Sequence, residues 1–122
     1  MESIKWNGKS LKLLDQRKLP HQEEWITIQT IEEAAEAIRN MTVRGAPAIA
    51  ITGAYGMVLG YRAGANRSLS SERLLAARPT AVNLQWALNR LESIEDSLLE
   101  KEAIEIHAED LRINHALAQH GA

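Results

Sequence analysis

"TIEEAAEAIRNMTVRGAPAIAITGAYGMVLG", residues 30–60, is where the chain changes its hydrophobic period, and that change decides the fold. Upstream of Thr30 apolar residues alternate, as a strand needs; downstream they recur every three or four positions, as a helix needs. Thr30 with Glu33 makes a capping box, and Ile31, Ala34, Ala35, Ile38 and Met41 fall on one helical face. A second helix is expected to begin at Pro47, because the first helical N–H has no partner for proline to remove. Ala48, Ile51, Ala54, Tyr55, Val58 and Leu59 give it a wide apolar stripe. Gly53, Gly56 and Gly60 each weaken that helix by about 1 kcal/mol relative to alanine. Their presence predicts close approach by a neighbouring backbone.

Working upstream, "SIKWNGKSLKLLD" at 3–15 reads as a β-hairpin. Asn7-Gly8 suits a two-residue type I′ turn, whose central positions both take positive φ. That turn sets Trp6 opposite Lys9 and Ile4 opposite Leu11, with Ile4, Trp6, Leu11 and Leu13 on one side. "EWITIQT" at 24–30 is a third strand, and Pro20 lies in the connection, where a missing N–H does no harm. Downstream, Gly64 and Asn66 supply a stop and a loop before a short helix, "SSERLLAA", closed by Arg78-Pro79. A long helix is expected over 80–98, with Val82, Trp86, Leu88 or Asn89, and Leu91 at helical spacing. A last one carries Ile104, Ala108, Leu111 and Leu117 inward and ends on Gly121 as its cap. The expected class is α+β: a small antiparallel hairpin or three-stranded sheet over 1–29, then a bundle of about five helices over 30–122.

The chain has 122 residues, enough for one domain with a modest core. Fourteen basic against sixteen acidic residues give a formal charge of -2. That balance carries no footprint for nucleic acid and no polybasic surface for anionic lipid. No cysteine is present, which excludes disulfides, thiolate metal sites and cysteine nucleophiles within these residues and fits a cytoplasmic location. "MESIKWNGKS" lacks the apolar stretch of a signal peptide, and the apolar run from Pro47 to Leu59 is too short to span a bilayer.

Two short motifs carry chemistry. In Arg44-Gly45-Ala46-Pro47, unpaired N–H groups at a helix start meet a glycine that admits close approach and an arginine that grips two phosphate oxygens as a planar fork. The alternative is a loop arginine paired with a surface carboxylate. Arg78-Pro79-Thr80 repeats the arrangement, with Thr80 placed to cap the following helix. Two such motifs in a small chain raise the prior that both face one anion; the alternative for Arg78 is a link between two helices. His107 and His115 share a helical face two turns apart, whereas zinc ligands on a helix favour adjacent turns. They read as surface or interface residues, and His21 and His120 receive no chemistry. The carboxylates over 92–110 form a solvated helical face. No proton-transfer group or nucleophile stands out.

Three segments taken together, "IKWNGKSLKLLDQRKLP" at 4–20, "MTVRGAPAIAITGAYGMVLG" at 41–60 and "ARPTAVNLQWAL" at 77–88, resemble the N-terminal region of the methylthioribose-1-phosphate isomerases. Ala50 stands where that family more often has glycine. The resemblance implies a hairpin-plus-helices N-terminal part joined to a larger Rossmann-like domain, which these 122 residues do not contain. It implies substrate-phosphate and sugar contacts at Arg44, Gly45, Ala46 and Arg78, and catalytic groups, a cysteine and an aspartate, in the further domain. The chain is then expected to be a single N-terminal domain, 1–122, that binds a phosphosugar, lacks catalytic residues and is silent alone. No metal or organic cofactor, nucleic acid or membrane partner is implied, and the full-length enzyme is expected to be a homodimer. Two other readings stay open: a regulatory subunit of the translation initiation factor 2B-like superfamily, and a ribose 1,5-bisphosphate isomerase.

Overall fold

The computed structural model describes the backbone over 2–121 and the side chains over 2–112. Three antiparallel strands, β1 (Ile4–Trp6), β2 (Leu11–Leu14) and β3 (Trp25–Ile28), form one sheet in the order β1-β2-β3. Five helices follow: α1 (Ile31–Arg39), α2 (Ala46–Arg62), α3 (Arg67–Ala77), α4 (Val82–Glu92) and α5 (Leu99–Gly121), with a 3-10 turn at Asp96–Leu98. The α+β arrangement is the one the change of period at Thr30 predicts. Among the described residues no helix is long and apolar enough to cross a membrane.

The hairpin register differs from the expected one. Ile4 pairs with Leu13 and Trp6 with Leu11, so the connection is the longer loop Asn7-Gly8-Lys9-Ser10. Its cause is the Asn7 side chain, whose Oδ1 accepts the N–H groups of Lys9 at 2.8 Å and Ser10 at 2.7 Å. Gly8 supplies the positive φ of 89°. The slip is by two residues, so every side chain keeps its face. Ile4, Leu11 and Leu13 are buried as expected, and Trp6 packs against the core.

Helix α1 starts on the expected capping box, with Glu33 N–H to Thr30 Oγ1 and Thr30 N–H to Glu33 Oε1 both at 3.1 Å. Met41, expected on its inner face, instead lies beyond the helix in a left-handed conformation (φ 69°) and is exposed. The chain must reverse here, and Val43 fills the core in its place. Helix α2 begins at Ala46, one residue before Pro47, and is buried on all sides from Ile49 to Gly60 rather than along a stripe. Its glycines admit side chains, not backbones. An added Cβ at Gly53 would meet Leu84, one at Gly56 would meet Leu74 and Ala34, and one at Gly60 would meet Ser70 and Ile31.

Helix α3 starts earlier than expected because Asn66 Oδ1 caps it, accepting from Ser68 N–H at 2.9 Å and Leu69 N–H at 3.2 Å. The expected long helix over 80–98 is interrupted after Glu92, and Ala81 rather than Thr80 is the N-cap of α4. Val82 and Trp86 face solvent. Leu88 and Leu91 are buried as expected, and Leu84 and Ala87, rather than Val82 and Trp86, complete the buried stripe. Trp86 is partly covered by the Arg90 guanidinium, 5.3 Å from its ring centre. Helix α5 likewise buries Leu99, Ala103 and Ile106 and leaves Ile104 and Leu111 exposed, with Ala108 half-buried. The expectations for His115, Leu117, His120 and the Gly121 cap lie outside the described side chains.

Fully buried Asp15 opens the connection between β2 and β3: Arg17 donates to both its oxygens, at 2.9 and 2.8 Å, and holds the carboxyl below the usual carboxylate range. A Cβ added at Gly56 would lie 3.0 Å from Leu74 Cδ2 and 3.2 Å from Ala34 Cβ. Gly56→Val is therefore expected to lower stability by about 1–3 kcal/mol through overpacking, despite the helix-propensity gain. Urea unfolding followed by circular dichroism measures it, and an unchanged midpoint would contradict the packing described.

Candidate functional site

The loop that carries Arg44 is held from both sides. Thr42 O accepts the Gln16 N–H at 2.9 Å, and Asn40 Oδ1 accepts the Thr42 N–H at 3.0 Å and hydroxyl at 2.7 Å. With Val43 buried, the next side chain, Arg44, must point outward, and it is exposed. Gly45 is the N-cap of α2, with φ +90°, and nothing lies within 4 Å of where a Cβ would stand. No side chain caps this helix start, and no acidic residue sits in its first turn. The backbone N–H groups there carry the positive end of the helix dipole with no counter-charge from the helix's own first turn.

Arg78 sits at the C-terminal end of α3, half-buried, with its N–H bonded to Leu75 O. Packing fixes which end of the bundle that is. Ser70 meets Gly60 and Leu74 meets Gly56, so α3 runs antiparallel to α2. Arg67, at the start of α3, donates to Leu91 O at 2.7 Å and Ile94 O at 2.8 Å, so α4 ends where α2 ends. The starts of α2 and α4, and therefore the Arg44 and Arg78 motifs, lie at one end of the bundle. The hollow beside Arg44, about 240 Å³, does not include Arg78 among its lining residues.

Ion pairing separates these two arginines from the rest. Arg17, Arg39, Arg62, Arg67, Arg73, Arg90 and Arg112 each have a carboxylate within 4 Å. Among the described residues Arg44 and Arg78 have none, which sets them apart from the other arginines.

The opposite wall of the hollow is formed by α5, where the sequence reading missed a residue. His107 is half-buried, and its Nδ1 lies 2.7 Å from the hydroxyl of the fully buried Tyr55. The two rings meet edge to face at 5.5 Å, and Tyr55 stacks on Trp6 at 4.7 Å. Burial lowers the His107 pKa, against the opposing charges of Glu2 and Asp110. No local signal could reveal this pair, because its members are 52 positions apart. Among the described residues no group of His, Cys, Asp and Glu is arranged to hold a metal.

No family model matches the chain. It is 47% identical over 136 aligned positions to the methylthioribose-1-phosphate isomerase of Thermotoga petrophila, covering 99% of this chain and 40% of that protein. For the Pseudomonas aeruginosa enzyme the figures are 49% over 138 positions, 99% and 38%. The chain matches the N-terminal part of the methylthioribose-1-phosphate isomerases. It spans about two fifths of the length of these relatives. Among solved structures, the 5-methylthioribose 1-phosphate isomerase of Pyrococcus horikoshii superposes with a TM-score of 0.78 at 34% identity, over 88% of this chain and 36% of that one. The delta subunit of translation initiation factor eIF-2B from A. fulgidus does so with 0.76 at 36% identity, over 91% and 38%. The fold is thus common to methylthioribose-1-phosphate isomerases and to a protein named for translation, and function rests on the site.

Because the folded-state His107 takes up a proton less readily than the unfolded one, folding stability is undiminished above the ordinary histidine value of 6.5 and falls as pH drops below it. Thermal melts between about pH 8 and about pH 5 are expected to show that decline and to show it flattened in His107→Gln. Equal slopes in the two proteins would remove His107 as its source.

Proposed function

We propose that this chain is the phosphate-holding N-terminal part of a methylthioribose-1-phosphate isomerase. The observation that carries the reading is the pairing pattern. The two arginines singled out by the Arg-Gly-Ala-Pro and Arg-Pro-Thr motifs are those without a carboxylate partner among the described residues, and both lie at the same end of the bundle. The identity to the Thermotoga and Pseudomonas enzymes supports 5-methylthioribose 1-phosphate as the substrate in this reading.

The reaction converts 5-methylthioribose 1-phosphate to its ketose, 5-methylthioribulose 1-phosphate, by moving hydrogen between C2 and C1 while the C1 phosphate is held. In this reading Arg44 grips two phosphate oxygens as a fork, and Gly45 leaves the backbone of Gly45 and Ala46 open to the anion. Arg78 adds a second cation. These contacts bind and stabilise charge, and the groups that move the proton belong to a C-terminal part. The complete enzyme is a cytoplasmic homodimer in this proposal. A second reading, a regulatory subunit acting through protein contacts, is favoured by the likeness to the A. fulgidus eIF-2B delta subunit. A ribose 1,5-bisphosphate isomerase would use the same phosphate contacts.

In the complete polypeptide, Arg44→Ala and Arg78→Ala are each expected to weaken 5-methylthioribose 1-phosphate binding by about tenfold or more, the scale of a lost charge-assisted hydrogen bond. Titration calorimetry reads it. Unchanged affinity in both variants would overturn the phosphate assignment and favour the regulatory reading.

A further inference from the structure

The hollow beside Arg44 has a second polar wall that the phosphate contacts leave unused. Arg44 and the first turn of α2 form one side, the start of β1 another, and His107 with Asp110 from α5 the third. Ile51 and Leu111 add apolar surface. At about 240 Å³ it has room for a small metabolite. Arg44 is its one cation among the described lining residues, so a phosphate held there leaves the rest of a ligand facing neutral and acidic groups.

His107 is the group in that wall whose chemistry is fixed by its neighbours. Tyr55 is fully buried, and its hydroxyl has no other hydrogen-bond partner among the described residues. A buried hydroxyl that donates to nothing costs about 1–3 kcal/mol, so the O–H donates and Nδ1 accepts across the 2.7 Å contact. Burial, then the charges of Glu100 and Glu2, raises the Tyr55 pKa, which keeps that proton on the phenol. Burial disfavours the charged imidazole, in keeping with an unprotonated Nδ1. The ring proton must then sit on Nε2, so His107 carries a neutral N–H donor, and its side chain lines both the hollow beside Arg44 and a neighbouring one with Lys5, Trp6 and Tyr55. Stacking on Trp6 holds the Tyr55 ring, and Trp6 is itself held by its Nε1–H bond to Glu100 at 2.9 Å.

We propose that His107 is a specificity-determining contact for the sugar end of the phosphosugar, donating from Nε2 to a sugar oxygen, and that Tyr55 is the positioning residue that fixes its tautomer. The inference rests on the phosphate reading above and deepens it. A neutral donor of fixed tautomer recognises hydroxyl or ring oxygen and adds little to the hold on a bare anion. Glu2, lining the same hollow, supplies a carboxylate that accepts from hydroxyl groups and repels additional phosphate.

Calorimetry on the complete polypeptide with two probes, 5-methylthioribose 1-phosphate and inorganic phosphate, tests it. His107→Ala is expected to weaken phosphosugar binding about tenfold and leave phosphate binding unchanged, whereas Arg44→Ala weakens both. His107→Gln, which keeps an acceptor for Tyr55 and an N–H donor, is expected to recover most of the loss. Tyr55→Phe keeps the stacked ring and is expected to weaken phosphosugar binding about threefold, with the His107 nitrogen-15 shifts moving away from a pure Nε2–H tautomer. If His107→Ala binds the phosphosugar like the parent while Arg44→Ala does not, the role of His107 is overturned and the phosphate reading stands. Equal losses for both probes in His107→Ala would make its effect structural and overturn the proposal. If Arg44→Ala and Arg78→Ala leave both probes bound as in the parent, the phosphate reading itself fails.

Discussion

A helix without a polar face persists in water only when other elements cover every side of it, and α2 imposes that constraint on the rest of this chain. From Ile49 to Gly60 it exposes no side. Its three glycines keep it slim enough for neighbours to approach: Leu84 of α4 lies at Gly53, Leu74 of α3 at Gly56, and Ile31 of α1 with Ser70 of α3 at Gly60. Replacing exposed apolar surface with packed contact at about 25 cal/mol per Å² outweighs the lower helix propensity of glycine. The order of the other helices around α2 follows from where those gaps fall along it.

The same packing decides what each charged side chain is free to do. Arg90 is tied to Glu102 and Glu109 on α5, and Arg67 to Asp96 and two carbonyls at and beyond the last turn of α4. Arg62 bridges the hairpin and α5 through Gly8 O and Glu100. These arginines join elements. Arg44 and Arg78 sit instead where helices begin or end at one pole of the bundle, and no carboxylate among the described residues reaches them. In the proposed reading, an anion supplies the counter-charge that the described carboxylates leave open at Arg44 and at the start of α2.

Much of the fold was legible because local rules govern it. The capping box at Thr30, the proline near the start of α2 and the alternation in the strands each act over a few residues, and each element they predict is present. The hairpin register was misjudged by two because Asn7 spends its side chain on Lys9 and Ser10 N–H groups rather than on a tight turn. Parity hid the error from the buried face. The inner faces of α4 and α5 were misjudged in part, for a different reason, since Leu88 and Leu91 are buried as expected. Trp86 and Ile104 are large and apolar, yet a helix buries the stripe that fits its neighbours, and Leu84 is the side chain that fills the space left by Gly53.

For the candidate site, local chemistry at Arg44-Gly45 and at Arg78 allows an anion and a surface ion pair about equally, since helix starts and planar guanidinium groups act at short range, and the set Arg44, Gly45, Ala46 and Arg78 comes from the family resemblance. The sequence by itself also determined the α+β class, through the change of period at Thr30, and excluded any cysteine chemistry within these residues. Tertiary structure decided what periodicity cannot carry. It set which arginines find carboxylates, brought the Arg44 and Arg78 motifs to one end, and placed Tyr55 against His107 across 52 positions. Those outcomes depend on how helices pack around a fully buried centre, and packing is a property of several segments at once rather than of any one of them.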